Sequence, residues 1–187
     1  MSEAVKSMKG QLLLDSGQLR GSFFQRTVVL VCQHDVEEGA FGLVLNRATG
    51  SNAGDMIVAD LPEALKASPL FLGGPVQPTA LSFLHTDSFL PDANVLPNLN
   101  LGHSLDSLVE IGESFSGTRQ IKIFAGYAGW SPGQLEDELK RDAWLTHPAS
   151  LELVFDGEPG QLWQKVLRQK GWKYRLMGDM PEDPSLN

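Results

Sequence analysis

A single cysteine in 187 residues leaves no partner for an intrachain disulfide. Cys32 is then a free thiol, which suits a reducing compartment. Positive charge is also scarce: 15 Lys and Arg stand against 23 Asp and Glu, for a formal net charge of −8. No basic stripe suited to phosphates is visible, so nucleic acid is a disfavoured partner. Arg168, Lys170, Lys173 and Arg175 form a modest C-terminal cluster that reads as a solvated helix face. No apolar run approaches a membrane span, and residues 1–6 lack the apolar stretch of a secretory leader. The expectation is a cytoplasmic protein with no membrane contact. His34, His85, His103 and His147 are dispersed, and His85-x-Asp87 is the only close pair. No metal and no cofactor is therefore expected.

What is present is an ordinary globular composition, 42% hydrophobic and 20% charged, long enough for one domain with a sizeable core. Residues 11–15 read as a first strand. Residues 27–33 are β-branched and apolar on both faces, as in a buried strand. Residues 41–46 return after the turn chemistry of Glu37-Glu38-Gly39, forming a hairpin. A weak helix is expected near Pro62 to Leu65, with short strands at 69–72 and 81–85. Ser104 caps a helix carrying Leu105, Leu108 and Val109. Residues 120–124 alternate as a strand, and so do residues 150–155. Pro159 opens a last helix with Leu162, Trp163, Val166 and Leu167, which Gly171 ends. Residues 1–8 and the acidic, proline-containing stretch 178–187 read as mobile, leaving 9–177 as the domain.

The segment from Gly126 to Glu136 poses the chemical question. Gly129-Trp130-Ser131-Pro132-Gly133 spells G-x-S-x-G, the pattern of a hydrolase nucleophile elbow. The residue after the serine should lend its N–H to an oxyanion hole, and Pro132 has none. The only histidine after Ser131 is His147. The structural alternative accounts for each residue: Ser131 as N-cap, Pro132 at the first helical position, and Gln134 completing a capping box.

Cys32 and His34 stand two apart on one strand, which puts them on one face and raises a thiolate–imidazole pair. A buried cysteine acting as a small hydrophobe is the commoner case. Asn46, Arg47 and His85 sit at predicted strand ends, where polar groups either bind ligands or tie down loops. Gly73 and Gly74 would let backbone approach an anion, yet no Lys-Ser or Lys-Thr follows, so a tight turn fits better. Trp130 and Trp144 flank the acidic helix and read as packing anchors; an exposed Trp130 would mark a partner surface.

Several blocks in order resemble the AlgH/YqgE-like family of bacterial proteins. They are Phe24-Gln25-Arg26-Thr27 with the strand after it, His34-Asp35, Gly39-Ala40-Phe41-Gly42-Leu43-Val44-Leu45-Asn46-Arg47, Gly73-Gly74-Pro75-Val76, Leu84-His85, and Gly126 to Glu136 with Trp144 beyond. Two departures bear on local loops: Ala48 stands where the family usually has proline, and Leu14-Asp15-Ser16-Gly17 where it tends to have Ile-Ala-x-Pro. The resemblance implies an α+β fold: a bifurcated, mostly antiparallel sheet, part of it curled into a small barrel, flanked by helices. It implies no reaction. A transcriptional-regulator label travels with the family, but the sequence shows no helix-turn-helix pattern to support it. The expected function is a non-enzymatic regulatory domain binding a partner protein or small ligand at strand-end loops. The candidate surface is Asn46, Arg47, Gly73, Gly74, His85, Tyr127, Gly129 and Trp130. The alternatives are an enzyme using Cys32 with His34, or Ser131, and a nucleic-acid-binding regulator.

Overall fold

The computed structural model describes residues 6–87, 93–114 and 119–181. The outer ends of both expected mobile segments, 1–5 and 182–187, lie outside the described residues. Five strands build one half of the sheet: β1 (Gln11–Asp15), β2 (Val28–Asp35), β3 (Gly39–Val44), β9 (Ile121–Trp130) and β10 (Trp144–Pro148). The other half adds β4 (Ala48–Asn52), β5 (Pro69–Leu72), β6 (Val76–His85), β7 (Ala93–Leu96) and β8 (Leu99–Gly102). The order is β10-β1-β2-β3-β9-β6-β8-β7, with β5 and then β4 branching off β9. Helices α1 (Ala53–Met56), α2 (Glu63–Lys66), α3 (Leu105–Glu113), α4 (Gln134–Lys140), α5 (Leu151–Phe155), α6 (Pro159–Lys170) and α7 (Trp172–Gly178) flank it.

β2 is buried on both faces, as its composition predicts. Val28, Leu30 and Cys32 enter one core with Leu153, Leu162, Trp163 and Val166 from α5 and α6. Val29 and Val31 enter a second with Trp130, Leu135 and Trp144 under α4. A third core packs Ala53, Leu65, Leu108 and Ile111 of α1–α3 on Phe83 and Ile123.

Bifurcation happens along β9. Its first half pairs with β6 on one side and in parallel with β5 on the other. Its last residues, 128–130, pair with β3 instead. Between the halves lies Gly126 at φ 73, a conformation that costs glycine little. Three backbones meet there: the Val44 N–H donates to Gly73 O at 2.8 Å, and the Gly73 N–H donates to Ala125 O at 2.9 Å. A Cβ on Gly74 would overlap the Tyr127 carbonyl carbon, and one on Gly73 the Gly126 oxygen. The Gly-Gly pair is thus a close backbone crossing.

The predicted strand at 150–155 is instead α5, capped by Ser150, whose Oγ accepts from the Leu153 N–H at 3.2 Å. Leu153 and Val154 are both buried in the same core, and adjacent residues share a face only when the backbone coils. β10 is not among the expected strands; it ends in Pro148, which an edge strand tolerates. The departure at Asp15 has a local cause. Its carboxylate, 1% exposed, accepts from the backbone N–H groups of Gly17, Leu19 and Arg26, so it organises the loop between β1 and β2. Parts of the segments expected to be mobile are tied down as well. The Met8 N–H donates to His34 Nδ1, Asp179 pairs with Arg168, and Met180 O accepts from Arg26.

Gly74→Ala is expected to lower stability by at least about 2 kcal/mol, since two backbones must separate to admit the methyl group. Gly160→Ala, in open space near the start of α6, should be neutral or stabilising by up to about 1 kcal/mol. Urea unfolding midpoints check both.

Candidate functional site

Gly126 to Glu136 folds differently from its expected cap. The N-cap of α4 is Gly133, at φ 77 and ψ −11, not Ser131. The Gln134 N–H donates to Ser131 O at 3.0 Å, closing a turn with Pro132 second and Gly133 third. That is type II geometry, which favours proline and then glycine at those places. The turn displaces the helix start by two residues and moves Pro132 outside the helix. One half of the capping box survives: Gln134 Oε1 accepts from the Ser131 N–H at 3.0 Å. His147 lies on β10 near Gln169 and Lys170 of α6, whereas Ser131 bonds into α4. Burial and then the Lys170 charge hold the His147 imidazole below its ordinary range. Among the described residues no histidine is bonded to Ser131, and Pro132 offers no N–H beside it.

The thiol–imidazole pair also dissolves. The β2–β3 register shifts between Val31 and Gln33, leaving Cys32 as the extra residue of a bulge. Past the bulge the faces exchange. Cys32, 1% exposed, stays in the α5–α6 core, and burial pushes its thiol well above the ordinary range. His34 turns to the α4 side, where its Nε2 lies 2.8 Å from Glu136 Oε1 and its Nδ1 accepts from the Met8 N–H at 3.0 Å. Since Nδ1 accepts, Nε2 carries the proton and donates to Glu136.

Most strand-end candidates are engaged in structural bonds. Asn46 Oδ1 accepts from the Val28 N–H at 2.8 Å, and its Nδ2 donates to Arg26 O at 2.8 Å. Arg47 donates to Gln25 O. His85, fully buried, takes the Asp87 N–H on Nδ1 at 3.2 Å. Tyr127 stacks on Phe41 with ring centroids 4.9 Å apart. Trp130 is only 6% exposed, so packing covers nearly all of its ring and a small part is left to line a cleft.

A cleft remains beside that rim. Gly129, Trp130, Trp144, Phe24, Gln134 and Glu138 help line a space of about 300 Å³. Glu138 organises it: one oxygen, Oε2, accepts from Trp130 Nε1 at 2.9 Å and from Trp144 Nε1 at 2.7 Å. Oε1 accepts from Gln134 Nε2 at 2.9 Å. Among the described residues Glu138 has no cationic partner. Arg141, on the same cleft, instead donates Nε–H to Asp137 O at 3.2 Å. Glu138 and Phe24 were missed in the sequence, although an acid between two tryptophans was a usable signal.

Lys122 was missed too. Its Nζ sits 4.1 Å from the Phe71 ring centroid and donates to Val154 O at 3.1 Å. Burial lowers it to about 8. Among the described residues no group of three or more His, Cys, Asp and Glu gathers as a metal site, and no helix is long and apolar enough to cross a membrane.

A family model described as AlgH-like matches residues 12–175. The chain belongs to the AlgH-like family. A UPF0301 protein from Chlorobium luteolum is 38% identical over 189 residues, covering 100% of this chain and 98% of that protein. A UPF0301 protein from Chlamydia caviae is 36% identical, covering 96% and 95%. The solution structure of the AlgH protein from Pseudomonas aeruginosa has a TM-score of 0.76 at 28% identity, covering 97% of this chain and 98% of that one. A crystal structure of a Corynebacterium diphtheriae protein, at 22% identity and a TM-score of 0.77, shares the fold over 96% and 95% of the two chains. The blocks that carried the resemblance thus belong to an AlgH-like chain with the α+β fold they implied.

Glu138→Ala strands two indole N–H groups and should cost about 2 kcal/mol, while Glu138→Gln keeps an acceptor and should cost under about 1 kcal/mol; urea unfolding reads the difference. Lys122 supplies a pH test. Its folded value lies below the unfolded one, so the unfolded chain binds more protons between about 8 and 10.5. Stability conferred on wild type relative to Lys122→Met should rise by roughly 1–2 kcal/mol from about pH 7.5 to about pH 9.5, measured by paired urea titrations.

Proposed function

We propose that this AlgH-like chain is a non-enzymatic, cytoplasmic regulatory protein that receives a basic group, from a partner protein or a small ligand, in the cleft beside Gly129 and Trp130. Glu138 carries this reading. Its carboxylate spends its lone pairs on neutral N–H donors, so its charge is uncompensated by a cation among the described residues. Phe24, Trp130 and Trp144 wall the same cleft, and aromatic rings with a carboxylate favour an ammonium or guanidinium group. A net charge of −8 draws basic partners toward the molecule. The enzyme readings have less support, because Cys32 and His34 face different cores and, among the described residues, no histidine is bonded to Ser131. The nucleic-acid reading is weakened by Asp179, which pairs with both Arg168 and Arg175.

The test uses n-butylammonium and butylguanidinium as side-chain mimics, with 1-pentanol as the neutral control. Both cations should shift the Trp130 and Trp144 indole N–H resonances saturably in proton–nitrogen spectra. Glu138→Gln should weaken the response about tenfold. An equal response to pentanol, or an unaltered one in Glu138→Gln, would sink the proposal.

A further inference from the structure

A second cleft, independent of Glu138, lies on the other half of the sheet. It encloses about 390 Å³ between α1, the start of β6 and the approach to α3. Its origin is a break in pairing. β6 matches β9 at Val76↔Tyr127 and again from Leu81↔Ala125, so residues 77–80 arch away from the ladder. Gln77 takes φ 43 to make the arch. Pro78, Thr79 and Ala80 thereby form a wall above Phe124 and Ala125. Met56, Val58 and Leu105 stand at the same cleft, and all three are exposed large hydrophobic residues, Val58 fully so. A volume of this size and an apolar lining suit a small molecule.

A histidine gives the cleft a direction. His103 lines it, with its ring edge-on to Phe41 at 5.4 Å. Its Nδ1 lies 3.1 Å from Ser82 Oγ and 3.4 Å from Leu81 O. Ser82 is 1% exposed, and that nitrogen is its hydroxyl's partner. If Nδ1 carried the proton, the Ser82 hydrogen would be buried without an acceptor, at a cost. The Leu81 carbonyl has the longer contact, and the Ser82 hydroxyl has no other partner among the described residues, so Nδ1 accepts from Ser82 and Nε2 carries the N–H. Among the described residues Nε2 has no partner, and its ring is exposed. The cleft thus has mostly hydrocarbon walls, with the His103 N–H and the Thr79 hydroxyl as side-chain donors. Among the described residues no Asp or Glu lines it.

We propose that this cleft binds a small monomeric amphipathic carboxylate, its hydrocarbon chain against Met56, Leu105 and Phe124 and its carboxylate accepting from His103 Nε2–H. A carboxylate is favoured over a neutral head because a hydrogen bond to an ionised acceptor is stronger. An ammonium head offers only donors and meets a donor.

Octanoate, 1-octanol and octylammonium, kept below micelle formation, present three heads on one chain. Calorimetry with the full chain should show saturable one-to-one binding of octanoate, at least about tenfold tighter than octylammonium. His103→Phe keeps the ring, removes the donor, and should weaken octanoate about tenfold. Ala80→Trp fills the cleft and should abolish binding. Val58→Asp puts a like charge at the mouth and, being at a fully exposed position, tests the same point without burdening the fold. Each of three results would overturn the proposal: no saturable octanoate binding, equal affinity for octanoate and octylammonium, or binding unaltered in both Ala80→Trp and Val58→Asp. Association with phosphatidylcholine vesicles in place of monomeric octanoate would overturn it as well, since it would make the face a membrane surface.

Discussion

The close passage of Gly73-Gly74 against Gly126-Tyr127 is the constraint on which the architecture rests. A sheet can branch only where a strand changes neighbours, and β9 does so at this passage. Main chain touches main chain there, with no side chain between to adjust. Everything downstream follows from it. β5 lies parallel to β9 because the Gly-Gly turn brings it in, and β6 reverses to flank the same strand. β9 is then free to run on into β3 and end at Trp130. Substitutions at these glycines share one energetic cause, so their effects should not add: once one methyl has parted the strands, a second finds room already made.

The two clefts are consequences of how that branched sheet is closed. On one side, α4 is held to the sheet by Leu135 in the core, by Glu136 on His34, and by the Glu138 carboxylate that joins two indoles. On the other, β6 leaves its ladder for a few residues and opens an apolar hollow beneath the arch. Only the second arises from a departure from regular pairing; the first lies where β9 ends at Trp130 and β10 begins at Trp144.

Legibility in the sequence followed the same division. Buried strands such as β2 were readable, since β-branched residues on both faces leave few alternatives. Helices α3 and α6 were readable from Ser104 and Pro159 at their starts. The family blocks in turn carried the overall fold. Short elements were readable in part: β1, β5 and α2 lie where the pattern put them, but α5 does not. Leu-Glu-Leu-Val-Phe alternates like a strand, and only the paired burial of Leu153 and Val154 shows the helix. Ser131-Pro132-Gly133-Gln134 satisfies both a cap and a type II turn, and tertiary placement of α4 chose the turn. At the site, Asn46 and His85 were identified as polar groups at strand ends, but their bonds to Arg26 and Asp87 depend on loop paths that no local pattern encodes. Glu138 acquires its role from Trp130 and Trp144, brought to it by a strand on either side of the helix.

The bulge at Cys32 has a wider meaning for reading β2. A strand is a two-state code in which odd and even positions address opposite faces. One supernumerary residue inverts that code for the rest of the strand. Cys32 and His34 have the same parity in the sequence and opposite addresses in space. The inversion lets one short strand feed the α5–α6 core with its first half and grip the N-terminal segment and α4 with its last, a division of labour that an unbroken strand cannot make.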